Sequence, residues 1–221
     1  MDGRRSGAII NSLVSAYIDD IYVNKNENIE ALRVLAEEKH VPIILKDAES
    51  LLNILVKIRN PKRILEIGTA VGYSASFFAN SCDAEIVTIE ADKDMHEAAI
   101  SNIENLGFSD RITALFGDAR EVLEGLKGEE PFDFVFIDAA KSHYKAFWDL
   151  AFPLCEDNAL IVCDNVLMKG MTASDEFDTK HRYKTSIRKM REFLDYINNI
   201  EGVETSVLPV GDGVSISVIN K

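Results

Sequence analysis

The sequence has few cysteines, few prolines and no long apolar run, and each shortage excludes a class of protein. Its 221 residues include three cysteines and five prolines. The cysteines form no CxxC pair, which argues against a disulfide scaffold or a zinc ribbon and predicts free thiols in a reducing compartment. No apolar run approaches the roughly 18 residues that a membrane-spanning helix needs. Asn11, Ser12 and Asp19 interrupt the apolar stretch near the N-terminus, unlike the core of a secretory signal. We therefore expect a cytoplasmic protein with no membrane partner.

Linkers, internal repeats and low-complexity segments are also lacking, which predicts one domain over residues 1–221. A hydrophobic fraction of 47% allows a substantial core. The net charge of −13 argues against DNA and other polyanions as partners. Residues 180–191 are an exception, because KHRYKTSIRKMR holds six Lys or Arg and no acid. That segment is either a solvated helix face or a phosphate-binding surface.

The order of helical and β-rich segments predicts the fold class. Apolar periodicity predicts three opening helices, over residues 7–23, 27–39 and 47–58. Asn26 or Asn28 is the expected N-cap of the second helix and Asp47 that of the third. From residue 63 onward, β-rich runs alternate with helical stretches, until VETSVLPV and GVSISVIN follow each other across a Gly-Asp-Gly turn. The helical stretches are 73–80, 93–106, 118–126, 143–152 and 180–199. We predict an α/β fold: a Rossmann-like, doubly wound, mostly parallel seven-stranded sheet with helices on both faces and a C-terminal antiparallel hairpin.

Glycines and acids follow the first three predicted strands. In an open α/β sheet, ligands bind beyond the carboxyl ends of the strands, near the point where strand order reverses. The first strand runs into EIGTAVGYS, whose glycines let a ligand approach the backbone. Ala70 stands where a dinucleotide-binding motif needs its second glycine, which argues against an NAD-dependent oxidoreductase. Glu90 ends the second strand and is placed to accept from ribose hydroxyls, while Asp118 suits an adenine amino group. Each acid alone could instead be an ordinary helix N-cap.

Two acids and an amide follow the fourth and fifth predicted strands. Asp138 ends FDFVFID, and Asp164 and Asn165 end ALIVCDN. Their oxygens suit a hard divalent cation such as Mg²⁺. Lys141, one short turn after Asp138, could serve as the base for an acceptor hydroxyl, or could simply pair with a nearby acid. His143 is expected at a helix start rather than at a metal.

Together these motifs resemble the metal-dependent O-methyltransferase family of catechol and caffeoyl-CoA methyltransferases. The resemblance spans about residue 40 to the end and rests on EIGTAVGYS, Glu90, GDA, FIDAAK, CDNV and PVGDGVSIS. It implies S-adenosylmethionine as cofactor, Lys141 as catalytic base, and Asp138, Asp164 and Asn165 as metal ligands. The implied cofactor-binding residues are Ile44, Gly68, Ser74, Glu90, Asp118, Ala119 and Asp138. The GDG hairpin fits the caffeoyl-CoA and bacterial branch, whose members are typically homodimers.

Within that branch, the sequence is most similar to the bacterial methyltransferases of tRNA 5-hydroxyuridine. The shared stretches are EEKHVPI, EIGTAVGYSA, DNVLMKG and the basic segment that follows. The resemblance implies that the substrate is 5-hydroxyuridine at the wobble position of the tRNA anticodon stem-loop, converted to 5-methoxyuridine. Lys169, Arg182 and Lys184 would then contact RNA.

Two other functions remain open on the sequence alone. A small-molecule catechol or caffeoyl-CoA-type O-methyltransferase would need an acceptor pocket after Asn165, where KGMTASDEFDTKHRYK is strongly polar. A non-catalytic S-adenosylmethionine-binding protein would have no use for the proposed metal ligands and Lys141.

Overall fold

The opening helices match the sequence prediction closely. A computed structural model describes residues 12–221, so the first part of the predicted opening helix, residues 7–11, lies outside the described residues. The helices are α1 (Ser12–Ile21), α2 (Glu27–Glu38) and α3 (Lys46–Arg59). Asn26 is the N-cap of α2, because its side chain accepts hydrogen bonds from the amides of Asn28 and Ile29 at 3.0 and 3.4 Å. Across the described part of the chain, every helix is too short or too polar to cross a lipid bilayer.

The predicted N-cap of α3 is wrong. Leu45 holds that position without a side-chain hydrogen bond, and Asp47 lies in the first turn of the helix. The Asp47 carboxylate accepts from the amide of Gly211 at 3.0 Å and from that of Ala48 at 2.9 Å. Its oxygens therefore connect α3 to a turn 164 residues away in sequence, a contact that local spacing does not reveal.

The sheet has the predicted seven strands and order reversal. The strands are β1 (Arg63–Ile67), β2 (Glu85–Glu90), β3 (Ile112–Phe116), β4 (Phe132–Ile137), β5 (Cys155–Cys163), β6 (Val203–Leu208) and β7 (Val214–Ile219). Their order is β3-β2-β1-β4-β5-β7-β6, with β1 to β5 parallel and β7 antiparallel to both its neighbours. The connecting helices are α4 (Tyr73–Ser81), α5 (Lys93–Asn105), α6 (Ala119–Gly125), α7 (Tyr144–Ala151) and α8 (Lys184–Asn198). The switch point lies between β1 and β4, where ligands are expected.

Apolar side chains cover both faces of the sheet. All six residues of β4 are buried, and Asp133, the one charged residue among them, accepts from the amides of Lys62 and Arg63 at 2.8 and 3.0 Å. Phe134 and Phe136 point to the side of α2 to α5, where each makes an edge contact with Phe78 at ring distances of 5.7 and 5.4 Å. Val135 packs on the opposite side, in the cluster that contains Trp148 of α7. The sheet is thus a rigid base for the loops at its carboxyl edge.

Helix α8 begins later than predicted. Residues 180–183 precede it, and His181 has a left-handed backbone with φ 51°. The Asp178 carboxylate accepts from the amides of Arg182 and Tyr183, both at 3.1 Å. These bonds fix a turn instead of a first helical turn, so Lys180 and Arg182 lie on a loop rather than on the helix.

Candidate active site

A cavity of about 480 Å³ opens at the switch point between β1 and β4. Its wall contains all seven residues predicted to bind a cofactor, together with Lys141 and Asn165. The seven are Ile44, Gly68, Ser74, Glu90, Asp118, Ala119 and Asp138. Asp164 is buried directly behind this wall, whereas Lys169, Arg182 and Lys184 do not line the cavity.

The turn after β1 requires glycine for a steric reason. Gly68 has φ +104°, and a Cβ at this position would lie 2.2 Å from the carbonyl oxygen of Asp138. The Gly68 and Asp138 amides bond the carbonyls of Ile89 and Ile67, each at 3.0 Å, so the ends of the central strands are held together. Any side chain here would push the β1 and β4 turns apart.

Glu90 is held at the cavity wall by backbone amides. One carboxylate oxygen accepts from Ala70 at 2.8 Å, and the other from Ala91 at 2.9 Å and Asp92 at 2.8 Å. These bonds join the glycine-rich turn to the end of β2. They also fix the orientation of an acceptor group at the position predicted for ribose hydroxyls.

Asp118 fits both interpretations that the sequence left open. It is the N-cap of α6, accepting from the Arg120 amide at 2.9 Å, and it also lines the cavity. The Arg120 guanidinium bonds the same carboxylate, with Nε to Oδ1 at 3.0 Å. Hydrogen bonding from the Arg120 side chain lowers the pKa of Asp118 to about 2, so this carboxylate is ionised at neutral pH.

A buried acid lies beneath the glycine-rich turn. Glu66 of β1 is fully buried and accepts from the Thr88 hydroxyl at 2.5 Å. Burial raises the pKa of Glu66 to about 7, although the hydroxyls of Ser74 and Thr88 act in the opposite direction. Glu66 is not among the site residues predicted from the sequence, although an acid inside the apolar run RILEI is a visible signal.

Asp138, Lys141 and Asn165 meet where β4 and β5 end. The Lys141 ammonium donates to Asp138 Oδ1 at 3.0 Å and to Asn165 Oδ1 at 2.7 Å. Asp164 Oδ1 accepts from the Asn165 amide at 2.6 Å, and the Tyr144 hydroxyl donates to the Asp164 carbonyl at 2.7 Å. Asn165 adopts a left-handed backbone with φ 55°, which places its side chain beside Lys141.

The electrostatics of this group favour a positive ligand. Burial, followed by the charge of Asp138, raises the pKa of Asp164 to about 8. The described residues contain no group of three or more His, Cys, Asp or Glu that could hold a metal. The candidate set here combines two carboxylates and one amide oxygen, and the Lys141 ammonium already lies against two of its members. Oxygen donors of this kind suit Mg²⁺, which keeps its other positions for water or substrate.

The residues after Asn165 form a separate surface. Met168 and Lys169 have left-handed backbones, with φ 49° and 57°. A Cβ at Gly213 would lie 2.6 Å from the Leu167 amide nitrogen, so the Gly-Asp-Gly turn packs tightly against this loop. Lys169 is exposed. Burial raises the pKa of Asp212, and the nearby charge of Lys169 offsets part of that increase.

The basic segment, residues 180–191, divides into two parts. Arg188 pairs with Glu192 at 2.7 Å, Lys189 donates to the Ser142 carbonyl at 3.2 Å, and Arg191 pairs with Asp175 at 2.8 Å. The exposed basic residues of the other part are Lys180, Arg182 and Lys184. Arg188, Lys189 and Arg191 therefore have partners within the fold, although Arg188 and Arg191 are also exposed, whereas no ion pair is described for Lys180, Arg182 and Lys184.

Several cavity residues were not predicted. Pro42, Ile43, Tyr73 and Phe147 line the cavity. His143 also lines it, at the N-cap position of α7, as its predicted place at a helix start implies. Tyr73 directly follows the glycine motif, so its position in the sequence was enough to predict it as a cavity residue. Phe147 lies on α7, and which side of that helix points to the cavity depends on tertiary packing.

Comparison with known proteins gives consistent matches over almost the whole chain. A family model described as O-methyltransferase matches residues 19–219. The chain is 30% identical over 212 residues to a flavonoid 3',5'-methyltransferase of Vitis vinifera, covering 88% of each protein. It is 29% identical over 213 residues to a caffeoyl-CoA O-methyltransferase of Populus kitakamiensis, covering 90% of this chain and 89% of that one. The crystal structure of an O-methyltransferase from Bacillus cereus in complex with SAH superposes with a TM-score of 0.82 at 29% identity, covering 94% of this chain and 97% of that one.

Proposed function

The chain belongs to the O-methyltransferase family, and from that premise we propose that it methylates a hydroxyl group that has a second oxygen beside it, with a divalent cation as cofactor. The methyl donor in this proposal is S-adenosylmethionine, since the O-methyltransferase from Bacillus cereus binds SAH, the product that this donor leaves. The observation that carries the proposal is the convergence of Asp138, Asn165 and Lys141 at the wall of the cofactor cavity, with Asp164 buried behind them.

The protein's own groups supply most of the proposed chemistry. Gly68, Glu90 and Asp118 would hold the cofactor along the strand ends. Asp138, Asp164 and Asn165 would hold the cation, which when bound lowers the pKa of an acceptor hydroxyl and fixes its orientation. Lys141, as the neutral amine, would take the hydroxyl proton and become an ammonium as the methyl group moves from sulfur to oxygen, leaving S-adenosylhomocysteine and a methyl ether.

Small phenols with adjacent hydroxyls are the acceptors that the relatives support. Two of them are named for flavonoids and for caffeoyl-CoA, and they align with about nine-tenths of this chain. An acceptor with two adjacent oxygens would also explain why the proposed cation ligands lie beside a lysine. One oxygen would be methylated, and the other would hold the acceptor in place.

The wobble 5-hydroxyuridine of tRNA is the second candidate acceptor. Its 5-hydroxyl and O4 carbonyl are also adjacent oxygens, and an anticodon loop can present an unstacked base. The exposed Lys180, Arg182 and Lys184, next to the exposed rings of Phe177 and Tyr183, favour this acceptor. Cations with interleaved aromatic rings suit single-stranded RNA.

A direct assay separates these acceptors. The full chain would be incubated with S-adenosylmethionine and Mg²⁺, and with either caffeoyl-CoA, a flavonoid carrying adjacent hydroxyls, or tRNA containing 5-hydroxyuridine. Mass spectrometry would then locate the methyl group. We expect one acceptor class to be methylated and EDTA to abolish the product. The matched control is the same phenol lacking its second hydroxyl, which should not react. Methylation of that analogue, or full turnover in EDTA, would contradict the proposed role of a cation.

A further inference from the structure

A buried ion pair connects the opening helices to the cofactor cavity. Arg33 of α2 is 2% exposed and Glu49 of α3 is 0% exposed. The Arg33 guanidinium donates to the Glu49 carboxylate, to the Tyr73 hydroxyl at 3.0 Å and to the Ile44 carbonyl at 3.0 Å. It also lies 4.7 Å above the Tyr73 ring. One cation therefore joins α2, the segment before α3, and the first residue of α4.

Three further donors bond the two carboxylate oxygens of Glu49. The Tyr73 hydroxyl donates at 2.6 Å, the Tyr22 hydroxyl at 2.8 Å and the Asn24 amide at 2.9 Å. Burial raises the pKa of both tyrosines, so they stay protonated and act as donors. The carboxylate is thus satisfied from the α1–α2 connection as well as from α4.

Energetics suggest that this network has a role beyond stability. Burying two charges costs desolvation free energy that their attraction often only offsets, and apolar side chains of similar volume often stabilise a protein as well or better. Apolar side chains in place of Arg33 and Glu49 could not bond the Ile44 carbonyl and the Tyr73 hydroxyl, so they could not fix the positions of these groups. These two residues, unlike Arg33 and Glu49, are part of the cavity wall.

We propose that Arg33 and Glu49 are positioning residues for the cofactor. They hold the Pro42–Ile44 segment and Tyr73 in the shape that S-adenosylmethionine needs, before it binds. A preformed wall avoids the entropy cost of ordering these residues during binding. The inference rests on the proposed function only in that S-adenosylmethionine occupies this cavity; it does not depend on the acceptor or on the cation.

Calorimetric titration of the full chain with S-adenosylhomocysteine tests this inference. The variants are Arg33→Lys, which keeps the charge but loses the fork of donors, and Tyr73→Phe, which removes one hydroxyl and preserves the ring. Arg111→Lys is the matched control. Arg111 is also partly buried, bonds the carbonyls of Cys82 and Ala79 at 2.7 and 2.6 Å, and lies over the Phe108 ring, away from the cavity.

We expect Arg33→Lys to raise the Kd of S-adenosylhomocysteine about tenfold or more and Tyr73→Phe to raise it several-fold, since each loses bonds to a charged group. Arg111→Lys should leave this Kd within about twofold of wild type, as expected for a distant site. Steady-state assays should show a raised KM for S-adenosylmethionine and an unchanged KM for the acceptor. A wild-type Kd in folded Arg33→Lys, or equal weakening in Arg111→Lys, would overturn the inference. If Arg33→Lys does not fold, the Kd of Tyr73→Phe decides. Failure of the wild-type chain to bind S-adenosylhomocysteine would instead overturn the proposed function.

Discussion

The two halves of the candidate active site are built in different ways. The cofactor half consists of the Pro42–Ile44 segment, the turn at 68–74, Glu90 and residues 117–120. Short turns between a strand and the next helix place most of its groups, which bonds to backbone amides hold, and the buried Arg33 bonds the Ile44 carbonyl of the Pro42–Ile44 segment. The acceptor half that we propose consists of residues 138–143 and the loop at 164–170, whereas the exposed residues 180–184 do not line the cavity. Its shape depends on distant contacts, such as the approach of Gly213 to Leu167.

The carboxylates of the two halves also differ in charge balance. In the cofactor half, the Arg120 side chain lowers the pKa of Asp118 to about 2, and three backbone amides donate to the Glu90 carboxylate. In the acceptor half, burial and the charge of Asp138 raise the pKa of Asp164 to about 8. In the cofactor half, the carboxylates have hydrogen-bond donors from the protein itself. In the acceptor half, a bound cation would stabilise the ionised form of the carboxylates. In the proposed function, the first half binds a neutral ribose and adenine and the second half binds a cation.

Removing Asp164 should break the acceptor half alone. We expect Asp164→Ala to lower turnover at least about 10³-fold, on the order of 4 kcal/mol, by removing a proposed cation ligand. We expect the variant to fold, because burial raises the pKa of Asp164 and so disfavours its charged form in the native state. Its Kd for S-adenosylhomocysteine should stay within about threefold of wild type. Product formation measured by mass spectrometry and calorimetry would check both halves. Asp149→Ala, at an exposed acid paired with Lys145, is the control. Retained turnover in Asp164→Ala would refute its role.

Changing Glu90 should break the cofactor half alone. Glu90→Gln places an amide NH₂ group against backbone N–H donors that now bond the carboxylate, and it weakens acceptance from ribose hydroxyls. We expect S-adenosylmethionine to bind about 10- to 100-fold more weakly, with an unchanged KM for the acceptor. Glu97→Gln, at an exposed acid of α5, should have no such effect. An equal rise in both KM values would mean that the halves are not independent.

The smallest expected effect on cofactor binding or turnover concerns Glu66, whose replacement should instead change how stability depends on pH. The folded-state pKa of Glu66, about 7, lies above its ordinary value of 4.5. Its contribution to stability is therefore complete below pH 4.5 and is lost as the pH rises through 7. The isosteric Glu66→Gln variant lacks this loss. Between pH 5 and 7, its free energy of unfolding should rise relative to wild type by up to about 1.4 kcal/mol per pH unit. Urea unfolding at several pH values would measure the difference, and Glu85→Gln, at an exposed acid of β2, is the control. A difference that does not change with pH would show that Glu66 is charged in the fold.

The same division explains which features could be predicted from the sequence. The seven strands, the hairpin and the positions of Glu90, Asp118 and Asp138 depend on local pattern and on the strand-end rule, and the structure places them as predicted. The tertiary partners were not predictable. Local spacing predicts Asp47 as a helix cap, but its carboxylate bonds Gly211. The sequence also predicts that α8 begins at residue 180, whereas Asp178 fixes a turn there and the helix begins later. Arg33 and Glu49 look like ordinary charges on amphipathic helices until the fold buries them together.

The position of β7 has a consequence for how the chain is made. This strand lies between β5 and β6, although β6 is synthesised before it. Until residues 214–219 leave the ribosome, β6 has no neighbour in the sheet and β5 keeps an open edge. The adjoining Gly-Asp-Gly turn, against which Leu167 packs, is equally late. The parallel part of the sheet and the cofactor half can thus form during translation, whereas the acceptor half must wait. A chain without β7 would expose an unpaired strand edge, a feature that favours aggregation.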